Sequence, residues 1–283
     1  PFTYDPGTRR VAAVGLFGMR DYLAALQRRY NPDGRLVFTN IHCSHEAFPL
    51  YLTSDIPGIE SSQFRSEDDL FFYRACSYGK PLLLMNFINL HNLDQRSVAE
   101  DFHLNAAFWG EIPSTGRFVQ RAYAEYGDVT HAWLPAIAEL AAAGWEPVPM
   151  ATGARCERFD SPEAVSWTTR RQADVGAGDE LLIEAAALQA LGDDLVAVDP
   201  VWLAPRVLQR RGQDWALDLR TAPPTLAVTR VMPRRAVAAW LLGRAVRHAQ
   251  AAARVRGEDS AAPAIAAARQ AIAAIDSTTP AAT

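Results

Sequence analysis

Glu60 is the residue in this chain best placed for acid–base chemistry. It ends a short apolar stretch and is followed by Ser61, Ser62 and Gln63, which leave room for a ligand. A carboxyl group in that position works as a general acid if burial or a neighbouring charge holds its proton near neutral pH. The competing reading is a loop carboxylate that caps the next helix or pairs with Arg65. Asp55 is the alternative acid, but its place before Ile56-Pro57 reads as a turn. His42, His45 and Glu46 raise the question of a metal. Their H-x-x-H-E spacing lacks the helical pair that binds zinc in H-E-x-x-H proteins, and no third strong ligand lies nearby. No metal and no cofactor are therefore expected, and His42 and His45 line a rim. Asn40 and Asn86 suit hydroxyl recognition, because one amide both donates and accepts; equally, each could tie down a loop at a strand end. Phe87, Tyr51 and Trp109 could stack on a flat ligand, although Trp109 reads as core.

These residues cluster because of the elements around them. Leu36–Ile41 and Pro81–Phe87 are short apolar runs with almost no polar alternation, as in strands covered on both faces. Gly58–Ser61 and Glu111–Ser114 are shorter strand candidates, and Asp68–Tyr78 and Ser97–Trp109 carry helical spacing. That alternation is the rhythm of a parallel sheet or barrel. Polar residues gather at the strand ends, and in parallel folds the carboxyl edge carries the site. Val11–Tyr30 is an amphipathic helix leading through Asn31-Pro32-Asp33-Gly34 into the first strand. A preceding strand is expected and none is visible, because Pro1–Arg10 reads as a loop. The barrel pattern thus begins in mid-motif.

Bulk properties narrow the classes. The 283 residues carry a net charge of −4, and 49% of them are hydrophobic. Such a chain has ample core, and no basic stripe to hold nucleic acid is expected. The three cysteines, Cys43, Cys76 and Cys156, are too few and scattered for a disulfide framework. No run reaches the length of a membrane span, so no membrane partner is expected, and no signal peptide is visible. Localisation stays open. The first residue is Pro1 rather than methionine, which suits a mature end, a processed product or part of a longer polypeptide. The phosphate-loop, dinucleotide and serine-hydrolase glycine motifs do not occur.

Beyond Ser114 a helical region runs from about Phe118 to Ala143, with a break expected near Gly127-Asp128 and a stop at Gly144. From Trp145 onward, short strand-like segments alternate with turns, which suggests an antiparallel sandwich; Ala185–Leu191 fits a helical turn equally well. After Pro233 the chain is rich in Ala and Arg and helical, its arginines forming a solvated face. Three regions result: 1–144, a half barrel; 145–232, a sandwich; and 233–283, a helical tail with a disordered end. Lys80 precedes its strand and reads as structural, and Trp145 is expected in the seam between the first two regions.

The segments DGRLVFTN, SDIPGIE, RACSYGKPLLLMN, LNAAFWGEIPS and LPAIAELAAAGWEPVPMA, followed by CERF, resemble the carboxyl-terminal portion of bacterial glycoside hydrolase-like proteins. The most telling pieces are Tyr78-Gly79-Lys80-Pro81 and Gly144-Trp145-Glu146-Pro147. The resemblance covers roughly Pro1–Phe159 well and the rest loosely. It implies the carboxyl-terminal half of a (β/α)8 (TIM) barrel, then a β-sandwich, and hydrolysis of glycosidic bonds by two carboxyl groups. The nucleophile's position falls outside this chain. Glu60 would be the acid, with Asn40, His42, His45, Asn86 and Phe87 binding carbohydrate. Another polypeptide or a second copy would complete the barrel. The alternative is a non-catalytic carbohydrate-binding or assembly subunit with a degenerate barrel.

Overall fold

A computed structural model describes residues 3–5, 7, 10–12, 16–34, 39–42, 54–60, 67–86, 96–115, 120–170, 179–223, 225–256, 266–270 and 272–273. The chain forms two compact units, Pro1–Trp145 and Glu146–Thr283.

The first unit opens with β1 (Thr3–Asp5) and β2 (Arg10–Ala12), paired antiparallel. This corrects the reading of Pro1–Arg10 as a loop. Three-residue strands are too short to show a period, and Asp5-Pro6-Gly7 marks only the turn between them. Helix α1 (Leu16–Tyr30) starts later than expected and ends with Arg28 and Arg29 in its last turn. The strands β3 (Thr39–His42), β4 (Ile56–Glu60), β5 (Leu83–Asn86) and β6 (Ile112–Thr115) then form a parallel sheet in sequence order. Helices α2 (Glu67–Cys76) and α3 (Arg96–Trp109) supply crossovers, which parallel pairing requires. Helix α4 (Gln120–Ala143) follows.

The two faces of this sheet differ. Ile59, Leu82 and Leu84 stand on one parity and are 0%, 0% and 1% exposed, whereas Leu83, Met85, Ile112 and Ser114 on the other are half-buried. Helices α3 and α4 both contact β6, and their Phe102, Ala106, Ile137 and Leu140 are buried. Helix α4 runs unbroken through Gly127 and Pro135. The expected break does not form, because packing of Val129, Ile137 and Leu140 outweighs the local weakness. Its register with α3 is held by His103, whose Nδ1 faces Ala99 O at 2.7 Å and whose Nε2 faces Thr130 Oγ1 at 3.1 Å. Burial lowers the pKa of this imidazole. At the surface, Arg96 bridges Glu100 at 2.8 Å and Asp128 at 2.5 Å.

The second unit holds two antiparallel sheets. Their strands are β7 (Trp145–Glu146), which begins on the last residue of the first unit, β8 (Ala151–Thr152), β9 (Arg155–Ser161), β10 (Ala164–Arg170), β11 (Glu180–Ile183), β12 (Leu195–Asp199), β13 (Ala204–Arg206), β14 (Leu208–Arg211), β15 (Asp214–Asp218) and β16 (Ala227–Pro233). They are ordered β13-β12-β16-β10-β9-β7 and β14-β15-β11-β8. Val165, Trp167 and Val231 of the larger sheet share one core with Leu181, Ile183 and Leu217 of the smaller. Residues 185–191 are helical, as α5 (Ala185–Leu188) and a 3-10 turn (Gln189–Leu191). The other face of the larger sheet, with Ala164, Val196, Val198 and Met232, packs on Val237, Leu241 and Ala245 of α6 (Arg234–Arg256). The central strands are therefore covered on both sides. Gly153 has to be glycine: its φ is +99°, and a Cβ there would meet Glu180 O at 2.5 Å. Cys156 is buried with its Sγ 4.0 Å from Ala151 O, and Cys76 on α2 is half-buried; both are free thiols.

Candidate functional site at the carboxyl edge of the parallel sheet

The parallel register brings four strand ends to one edge: His42, Glu60, Asn86 and Thr115. His42 pairs with Ile59, Glu60 with Met85, Met85 with Ser114, and Asn86 with Thr115. Glu60 therefore stands one residue beyond the row of His42 and one short of the row of Asn86. With strands about 4.8 Å apart and a rise of about 3.3 Å per residue, its Cα lies about 6 Å from each of theirs. Its row-mates Met85 and Ser114 belong to the half-buried face of the sheet. His42 shares a row with Ile59 and Leu84. Asn40 stands two residues before His42, beside Pro57.

His45 and Phe87, with Tyr51, Glu46 and Arg65, lie outside the described residues. Trp109 is a core residue, 1% exposed and tilted against Phe71 at 6.0 Å between centroids. Asp55 is exposed at the opposite, amino end of β4, where its carboxylate accepts from Gln27 Nε2 at 3.3 and 3.4 Å. It is a turn residue. Lys80 also belongs to the amino end: its Nζ donates to Ser54 O at 2.7 Å, and burial lowers its pKa while Asp55 pulls the other way. Among the described residues no group of three His, Cys, Asp or Glu is set to hold a metal.

Sequence reasoning missed a carboxyl group, Glu111. Helix α3 ends in a Schellman turn: Gly110, with φ of 61°, donates to Ala107 O at 3.2 Å, and Glu111 N donates to Ala106 O at 2.8 Å. The residue after the glycine in this motif usually folds an apolar side chain back onto the helix. Here it is a glutamate, 0% exposed, and neither carboxyl oxygen has a hydrogen-bond partner in the protein. Burial pushes its pKa up to about 8, and the charge of Arg74 opposes the rise. Glu111 immediately precedes β6 and lies in the register row of Leu82, at the amino edge. It is no partner for Glu60.

Trp145 is 3% exposed and packs within the first unit, edge-on to Phe71 at 5.9 Å and Tyr78 at 6.5 Å, with the Arg74 guanidinium 5.8 Å from its ring. Its cradle is the carboxyl-terminal part of α2 and the turn that follows.

No family model matches the chain, and no curated protein matches it. Several solved structures do. The Thermotoga maritima alpha-fucosidase aligns at 9% identity over 67% of this chain and 57% of that chain, with a TM-score of 0.32. An alpha-L-fucosidase aligns at 10% identity over 75% of this chain and 48% of that one, with a TM-score of 0.34. Endo-glycoceramidase II from Rhodococcus sp. aligns at 13% identity over 63% and 41%, with a TM-score of 0.23. All are glycoside hydrolases, and the chain spans roughly half the length of those it matches. At these TM-scores the likeness is coarse and transfers no site residue.

Proposed function

We propose that this chain is a glycoside hydrolase-like protein acting on carbohydrate by carboxylate chemistry. In this reading its parallel sheet is the carboxyl-terminal half of a (β/α)8 barrel, completed by residues outside the chain, and the antiparallel sheets are the sandwich that follows. The observation that carries it is the register: Glu60 ends the second of four sequential parallel strands, flanked by the ends of the strands of His42 and Asn86. Glu60 is the general acid, protonating the departing oxygen. Asn40, His42, His45 and Asn86 hydrogen-bond sugar hydroxyls, and Phe87 stacks on a ring. The second carboxyl, which must lie about 5–5.5 Å away for retention or about 6.5–9.5 Å for inversion, comes from the completing part.

A second reading is a non-catalytic carbohydrate-binding or assembly subunit. It is favoured by the carboxyl edge itself, where Glu60 is the one acid among the four described strand ends. Turnover by the Glu60→Gln protein in the completed assembly decides between the two.

A further inference from the structure

We propose that Trp202, on the second unit, is a stacking platform for a neutral sugar ring. The carbohydrate reading above supplies only the class of ligand. The chain has seven tryptophans; Trp202 is 61% exposed, while the other six are buried or half-buried. It belongs to the tip between β12 and β13, where Asp199 pairs with Ala204 and four residues, Pro200 to Leu203, make the turn.

That tip is stiff at every position. The proline ring fixes φ at Pro200. Asp199 Oδ1 accepts from Val201 N at 2.8 Å and Trp202 N at 3.0 Å. Leu203 has a φ of 54°, a left-handed conformation rare for a residue with a branched side chain. Asp199 is itself held from below: its Oδ2 accepts from Arg206 Nη2 at 2.5 Å, the two side chains being 2% and 6% exposed. A buried ion pair and a strained residue thus hold an indole in water, which packing alone does not explain. A rigid aromatic surface loses little entropy on binding.

The surroundings select the ligand. Arg206 is paired with Asp199, and the arginines that follow it are paired too, Arg210 with Asp193, Arg211 with Glu180 and Arg220 with Asp218. Among the described residues 199–220 no unpaired cation is thereby offered to a phosphate, as single-stranded nucleic acid would need. Along β12 to β14, Val207, 51% exposed, is the other mostly exposed large apolar side chain. That is too little apolar surface for the core of a standard protein interface. A pyranose needs only the indole face for its C–H bonds.

The test is native electrophoresis of the full chain in gels containing galactomannan, xyloglucan or laminarin, with heparin as the anionic control. Retardation is expected in at least one neutral gel and not with heparin. Trp202→Ala should weaken it by about tenfold, with the thermal midpoint unchanged, and Trp202→Tyr should keep most of it. On the unsubstituted protein, the retarding polysaccharide should slow oxidation of the exposed indole by N-bromosuccinimide, a readout needing no variant. No retardation in any neutral gel, equal retardation of Trp202→Ala, or no protection overturns the inference. So does a changed sedimentation of Trp202→Ala with unchanged retardation, which marks a protein contact. The gels are also run on Glu60→Gln. Binding there, with turnover unaffected by that substitution, sinks the enzyme reading alone. Absent binding with turnover lost sinks this one alone.

Discussion

Arg74 on α2 draws the Glu111 carboxyl toward ionisation, but burial pushes harder the other way and raises its pKa to about 8. The two are 1% and 0% exposed at the amino edge of the parallel sheet. Arg74 is occupied elsewhere, with Nη1 donating to Lys80 O at 3.2 Å and its guanidinium over Trp145. The floor of the first unit is thus a carboxyl group that is neutral at pH 7, beside a fixed cation.

Stability of the first unit should fall as pH rises. The ordinary glutamate value is 4.5, so the unfolded chain loses this proton well before the folded chain does at about 8. The contribution is complete below about 4.5 and is lost through about 8, at up to about 1.4 kcal/mol per pH unit. His103, whose pKa burial lowers, acts oppositely and below neutrality. Urea midpoints of the protein and Glu111→Gln at pH 5, 7 and 9 isolate the effect. A difference between them that is flat with pH would show that Glu111 reaches water.

Trp145→Ala should cost the first unit about 3–5 kcal/mol, the usual result of emptying a buried aromatic site. Phe71 and Tyr78, which lean on the indole, lose their cover at the same time. Denaturant unfolding followed by far-UV dichroism reads this. A midpoint that barely moves would mean that the indole is not a core residue.

For Glu60→Gln we expect turnover on substrates with poor leaving groups to drop by about 10²–10⁴-fold. Aryl glycosides with good leaving groups need less protonation and should suffer less. Thermal stability should hold. Equal turnover on both substrate types would return Glu60 to the role of a loop carboxylate.

The parallel sheet has two outer strands, β3 and β6, with no further strand paired on them among the described residues. Its half-buried face carries Leu83, Met85 and Ile112. Open edges and apolar rows invite a partner. Sedimentation at micromolar concentration should therefore give a mass above 31.0 kDa. A well-folded monomer would count against a barrel completed by another chain.

Much of the fold was legible where the code is local. Apolar runs located β4, β5 and β6 to within about two residues, and Gly144 closes α4 with a φ of 85° as expected. The misses arise from long-range effects or short lengths. Neither the β1–β2 pair nor the continuity of α4 through Gly127 leaves a periodic signal. The run Leu36–Ile41 overlaps β3, which ends one residue later, at His42. Glu111 reads as the first residue of a short strand, and no local pattern shows its burial, which comes with the Schellman turn that ends α3. Trp202 looks like any other tryptophan; only the Asp199–Arg206 pairing singles it out. For the candidate site, the sequence located strand ends but not the faces they share.

Two thiols described above give each half of the molecule its own chemical clock. Cys76 belongs to the first unit. Cys156 belongs to the second, where burial, reinforced by the charge of Glu157, pushes the thiol up to about 12. A thiol that stays protonated in a packed core resists alkylation until that core opens. Pulsed iodoacetamide labelling along a denaturant series, resolved by peptide mass, would therefore time the opening of each unit separately. Coincident labelling would mean that the two halves unfold as one. Staggered labelling would mean that evolution or engineering could tune either half without disturbing the other.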